Sequence, residues 1–161
     1  MDAAADLSKL GHIGVAMAMI GGLVGSRILN RRAAHSDQIV EVVRLTRAAA
    51  PFDRIATISG PLIILTGLLA AWAADLPWLG LTTPWIVASF AIIAVLIVLI
   101  AAVFQPDGRR VEAEIQAAQA AGEITPSLRA AFEPTGAKRV AYWYGDLSPW
   151  AIVALMVLKP G

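Results

Sequence analysis

Between Pro84 and Phe104 the chain carries no charged side chain, and from Ala91 onward it is an unbroken tract of Ala, Ile, Val and Leu closed by Phe104. A helix needs about 20 mostly apolar residues to cross roughly 30 Å of hydrocarbon, and this run meets that requirement by itself. Two further runs, Ser8 to Leu29 and Ile55 to Ala74, meet it as well. A fourth, Val140 to Leu158, is interrupted by Gly145, Asp146 and Pro149 but is long enough to span. Composition agrees, because 58% of the chain is hydrophobic and only 16% is charged, against roughly a quarter charged in soluble domains. The expectation is an all-α fold: a polytopic membrane four-helix bundle occupying residues 1–161 as one membrane domain, with spans at 8–29, 55–74, 84–104 and 140–158.

The basic residues orient that bundle. Lys and Arg near the ends of spans are retained on the cytoplasmic side. Arg27, Arg31, Arg32, Arg44, Arg47 and Arg54 lie in the first connection, and Arg109, Arg110, Arg129, Lys138 and Arg139 in the last, whereas Asp75 to Thr83 holds none. Both termini and the short second connection are therefore expected outside, the N-out/C-out arrangement. Trp72, Trp78 and Trp85 mark the outer boundary, and Tyr142, Trp143 and Tyr144 the inner start of the fourth span, as aromatic belts do. A cleaved signal peptide would carry its positive charge before the apolar run; here Asp2 and Asp6 precede it and the arginines follow, so the first run is expected to be retained.

The cytoplasmic connections read as helical. Ser36 or Asp37 can cap a helix that runs towards Ala49 and ends before Pro51. Pro106-Asp107-Gly108 reads as a turn, followed by a polar helix that Gly122 ends. Thr125-Pro126 reads as a cap with proline in the first helical position, and Pro134 and Gly136 close that piece.

Few side chains in the spans can do chemistry. The chain has no cysteine, which excludes disulfides, thiolate metal sites and cysteine nucleophiles, and its net charge of +1 gives no reason to expect nucleic acid as a partner. No phosphate-binding loop, zinc motif or hydrolase elbow is present. His12 stands just inside the first span, where an ionisable group is a default site candidate, and imidazole is a common ligand for haem iron. Small residues surround it: Gly11, Gly14, Ala18, Gly21, Gly22 and Gly25 let another helix approach closely, or make room for a flat ligand. Asp146 would be a buried acid with Arg54 or Arg139 as its partner, or a proton-carrying group. Pro61 is placed to kink the second span. Lys159 follows the last apolar run, where its stem can snorkel to the headgroups on the same outer side as His12.

Lys9-Leu10-Gly11-His12 with its trailing glycines, Leu65-Thr66-Gly67-Leu68-Leu69, and Leu155-Met156-Val157-Leu158-Lys159-Pro160 together resemble an uncharacterised family of predicted integral membrane proteins, related in turn to HemJ-type protoporphyrinogen oxidases and CopD-type copper-resistance proteins. The resemblance runs along nearly the whole chain. It implies haem or porphyrin binding, with the histidine role on His12, as iron ligand, and the lysine role on Lys159. The acidic residue and proline before the last apolar run correspond to Asp146 and Pro149, with Leu147 and Ser148 between them. The expected function is thus a haem- or porphyrin-binding, redox-related protein of the cell membrane, of bacterial inner-membrane type. The alternatives are an accessory or scaffolding subunit that associates with itself or with a membrane complex, and an ion or copper handling protein. The last is disfavoured by the absence of cysteine and by only four scattered methionines.

Overall fold

The computed structural model describes residues 3–77 and 81–159. Trp78, Asp2 and Pro160, each part of a motif above, lie outside that range. Every regular element among the described residues is helical: α1 (Ala3–Ala34), α2 (Ile39–Ala73), α3 (Pro84–Leu99), a π-helical segment (Ile100–Phe104), α4 (Gln105–Ala121), α5 (Pro126–Phe132) and α6 (Ala137–Leu158). Three stretches are long and apolar enough to cross a membrane, namely α1, α2 and the continuous run from Pro84 to Ala121. The segment read as a fourth span is the single helix α6 of 22 residues. It falls outside that set, because Tyr142 to Trp150 dilutes its apolar content.

The helices pack as two units. The first joins the chain up to Ala33 with Arg44–Thr82. Among the covered positions of α1, Ala5, Ser8, His12, Val15, Met19, Gly22, Ser26 and Ala33 fall at alternating steps of three and four with one full step of seven, and Ala16, Ile20, Gly25, Arg27, Leu29 and Asn30 widen the stripe beside them. That is the 3.5-residue period of a coiled-coil seam. Apart from Val15 and Met19 the residues in it are small or polar, whereas Leu7, Leu10 and Met17 stand more than half exposed on the outer face. Contacts pair His12 with Thr66, Gly22 with Ala56 and Ser26 with Asp53, so α2 runs antiparallel to α1.

Glycine sets how closely the two helices approach. A Cβ on Gly22 would lie 2.8 Å from the Phe52 carbonyl oxygen and 2.9 Å from the Ala56 nitrogen, and one on Gly25 would run into the Phe52 ring. Gly11, Gly14 and Gly21 have nothing within 4 Å of that position. The small-residue pattern of α1 therefore splits into a packed part and an open part.

The second unit joins Ala34–Val43 with the chain from Thr83 onward. Here α6 lies along α3 and the π segment. The Tyr142 ring sits 5.0 Å from the Phe104 ring, the Tyr144 hydroxyl donates to the Ile92 carbonyl at 3.0 Å, and Gly145 leaves room for the edge of Phe104. Contacts that move forward along α6 move back along α3 and α4, so the pair is antiparallel. α5 packs on α4 through the fully covered Ala118 and Leu128.

Two boundaries differ from the sequence reading. The helix expected to end before Pro51 continues through both Pro51 and Pro61 as one 35-residue helix. The turn expected at Pro106-Asp107-Gly108 is helical, and the widened π segment stands immediately before it. The proline ring would crowd the carbonyl four residues back in α register. In the π segment the Gln105 N–H instead reaches the Ile100 carbonyl, five residues back, and the widening takes up the misfit. The caps after α4 and before α5 are as expected. Gly122 adopts a left-handed φ of 75° after α4, and the Thr125 hydroxyl accepts from the Leu128 N–H at 3.2 Å. Ser36 accepts from the Gln38 N–H at 3.2 Å, just ahead of α2.

The close approach at Gly22 and the open space at Gly14 separate two substitutions of equal size. Gly22→Leu is expected to lower unfolding stability by about 3 kcal/mol or more through overpacking against the α2 backbone, whereas Gly14→Leu meets no neighbour and raises it by up to about 1 kcal/mol through helix propensity. Thermal or denaturant melting in detergent, followed by tryptophan fluorescence, measures both.

Candidate functional site

His12 is half-buried in the seam of the first unit, facing α2. Its Nδ1 lies 3.1 Å from the Thr66 hydroxyl oxygen. That hydroxyl donates its single proton to the Leu62 carbonyl one turn back, at 2.8 Å. With its proton on that carbonyl the Thr66 hydroxyl is an acceptor towards His12, and the imidazole then carries its proton on Nδ1. The ring lies against Gly67, where a Cβ would come 3.1 Å from Cε1. Leu65-Thr66-Gly67 therefore supplies an acceptor and the space beside it, and α2 holds both opposite His12.

Two turns of seam beyond Met19, a second polar contact ties the same helices together. The buried Ser26 hydroxyl donates to Asp53 at 2.5 Å, and the Asn30 amide donates to Ser26 at 3.1 Å. Asp53 is a hydrogen-bond acceptor facing α1.

Asp146 and Lys159 belong to the second unit. Lys159 closes α6 in a left-handed conformation, φ 43°, and its N–H reaches the Leu155 carbonyl at 2.9 Å. The burial expected of Asp146 falls instead on another carboxylate. Asp146 is exposed on α6, whereas Asp107, read as part of a turn, is 6% exposed. Lys138 donates to Oδ1 of Asp107, and the Tyr142 hydroxyl donates to Oδ2 at 2.9 Å. Both oxygens of the buried acid are therefore satisfied from one face of α6, four residues apart. A cleft of about 240 Å³ opens beside this pair, lined by Asp107, Arg110, Glu133, Thr135 and Lys138 among others. Local sequence carries no signal for the pairing beyond Lys138 and Tyr142 standing one turn apart.

Among the described residues no group of three or more His, Asp or Glu side chains gathers as a metal site. His12 is the candidate ligand that its place in the first apolar run singles out. A neutral imidazole whose Nδ1–H is held by an oxygen and whose Nε2 is the basic atom is the form in which histidine ligates metals and haem iron.

Residues 6–160 match the model of a family described as a predicted integral membrane protein, DUF2269. No curated protein and no solved structure matches the chain.

Two measurements test these geometries. Thr66→Val removes the acceptor and keeps the shape. In 15N spectra of histidine-labelled protein the wild type should show His12 as the Nδ1–H form, and the variant should shift towards the Nε2–H form. In the second unit, Asp107→Ala strands Lys138 and Tyr142 and is expected to destabilise by about 2 kcal/mol. Asp37→Ala removes an ion pair with Arg129 in which Asp37 is 87% exposed, and melting should register less than about 1 kcal/mol for it.

Proposed function

The chain belongs to the DUF2269 family of predicted integral membrane proteins, and on that premise we propose that it binds a haem or related porphyrin through His12. The observation that carries this reading is the hydrogen-bond chain from His12 through Thr66 to the Leu62 carbonyl, which leaves Nε2 as the ligating atom. Gly67 seats the ring, since a Cβ there would come 3.1 Å from Cε1 of His12. Bound haem would supply one-electron chemistry. His12 would hold the iron, Thr66 would fix the orientation of the imidazole, and the apolar helices would exclude water. Lys159 is the weaker second ligand candidate, since an ammonium has no lone pair and ligation needs its neutral form.

In the bilayer we read α6 as a fourth span. Its 22 residues rise about 33 Å, comparable with the hydrocarbon thickness. Its antiparallel contact with α3 supports the same reading. The four spans then form a bundle with both termini outside and the arginine-bearing connections in the cytoplasm, in a cell membrane of bacterial inner-membrane type.

A second reading has its own support. Gly11, Gly14 and Gly21 have open space where their side chains would be, and such positions let a partner helix approach closely. On this reading the protein is an accessory or scaffolding subunit, associating with itself or with a membrane complex. Copper or ion handling draws on His12 alone and gains nothing further from the described residues.

A visible absorption spectrum separates the readings. Protein purified in mild detergent from a haem-replete host should show a Soret band, and His12→Ala should lose or shift it. Colourless protein that stays colourless after haemin is added, while melting as folded protein does, overturns haem binding and leaves the subunit reading.

A further inference from the structure

Away from His12, the first unit ends in a concentration of arginine whose carboxylate partners are taken. Between Arg27 and Arg54 the basic side chains are all arginine apart from His35, with no lysine. The acids of the same stretch are engaged: Asp37 with Arg129 at 2.5 Å, Glu41 with the Ser36 hydroxyl at 3.1 Å, and Asp53 with Ser26 at 2.5 Å. Among the described residues Arg32, Arg47 and Arg54 have neither an ion pair nor a hydrogen bond, and all three are exposed.

Their heights follow from the antiparallel pairing. Ser26 faces Asp53. Arg32 lies six residues beyond the first and Arg47 six before the second, so both stand about 9 Å past that level, at 1.5 Å per residue. Arg54 is level with it and, one heptad from Arg47, shares its face of α2. The three guanidinium groups begin where the apolar runs end, at Leu29 and Ile55, and cover a depth close to one headgroup layer, roughly 5–8 Å. We infer that this end of the first unit binds anionic phospholipid headgroups through Arg32, Arg47 and Arg54. Lysine would serve orientation in the membrane equally well. The planar guanidinium fork matches a phosphodiester with two parallel hydrogen bonds, and it is more weakly hydrated than an ammonium. Basic groups at this depth are attracted to anionic lipid. The inference needs α1 and α2 in the bilayer and does not depend on His12.

The test is thermal melting of the full chain in a neutral detergent, with phosphatidylglycerol, phosphatidylcholine or inorganic phosphate added, on wild type, R32Q/R47Q/R54Q and R32K/R47K/R54K. Phosphatidylglycerol should raise the wild-type midpoint by roughly 5 °C over phosphatidylcholine, the glutamine variant should lose at least half of that rise, and the lysine variant should fall between. In 0.5 M salt the wild-type difference should shrink, which keeps the proposal testable if the triple variant does not fold. Equal shifts with both lipids, an undiminished shift in the glutamine variant, or the full rise from inorganic phosphate alone would each overturn it.

Discussion

A bilayer offers no water to a backbone amide or carbonyl, so every such group in a span must be satisfied within the protein. Much of this chain's local structure follows from that single demand. Pro61 and Pro149 each lack a donor, yet each sits inside a continuous helix, because breaking the helix would orphan several groups in place of one. Hydroxyls obey the same rule. Thr57 donates to the Asp53 carbonyl and Ser89 to the Trp85 carbonyl, both at 2.8 Å, so polar side chains in apolar helices are satisfied one turn back.

With the backbone internally satisfied and the surroundings as apolar as the side chains, hydrophobic burial cannot decide which faces meet. Shape and polarity decide it. On α1 the seam that meets α2 is lined by Ser8, His12, Gly22 and Ser26, and the bulkiest residues face away. This inverts the pattern of a water-soluble helix. His12 and Ser26, the two side chains that hydrogen-bond across to α2, lie on that seam two heptads apart, with Gly22 between them allowing backbone contact. The candidate ligand therefore belongs to the same packing device that holds the first unit together, which is why its tautomer is set by a neighbouring helix rather than by solvent.

The helical class and the three strongly apolar runs were legible because they depend on local composition alone. So were the caps at Gly122 and Thr125, whose signals lie within four residues. The ends at Pro51 and Pro106 were misread: α2 runs unbroken through Pro51, and the π segment just before Pro106 takes up the misfit there. Asp146 and Asp107 exchanged their expected environments for a different reason. Burial was judged from the apolarity of neighbours in sequence, whereas Asp107 is covered by Lys138 and Tyr142, more than 30 positions away. His12 was selected by residue type and location, but its partner Thr66, 54 residues on, left no trace in any local pattern. A hydrogen-bond partner across two spans is a property of the fold.

The π segment before Pro106 also has a bearing on how the second unit could evolve. A π turn holds one residue more than the α turn it replaces, so everything after Phe104 is displaced by one position relative to an uninterrupted helix, a rotation of about 100° around the axis. The face that α4 presents is thus phased independently of the face that α3 presents to its surroundings. Asp107 can point at Lys138 while Ile86 and Ser89, on the same continuous rod, remain covered against their own neighbours. Loss of one residue between Ile100 and Phe104 would leave hydropathy and helix content untouched and still turn the buried carboxylate a quarter of the way round, away from both of its donors.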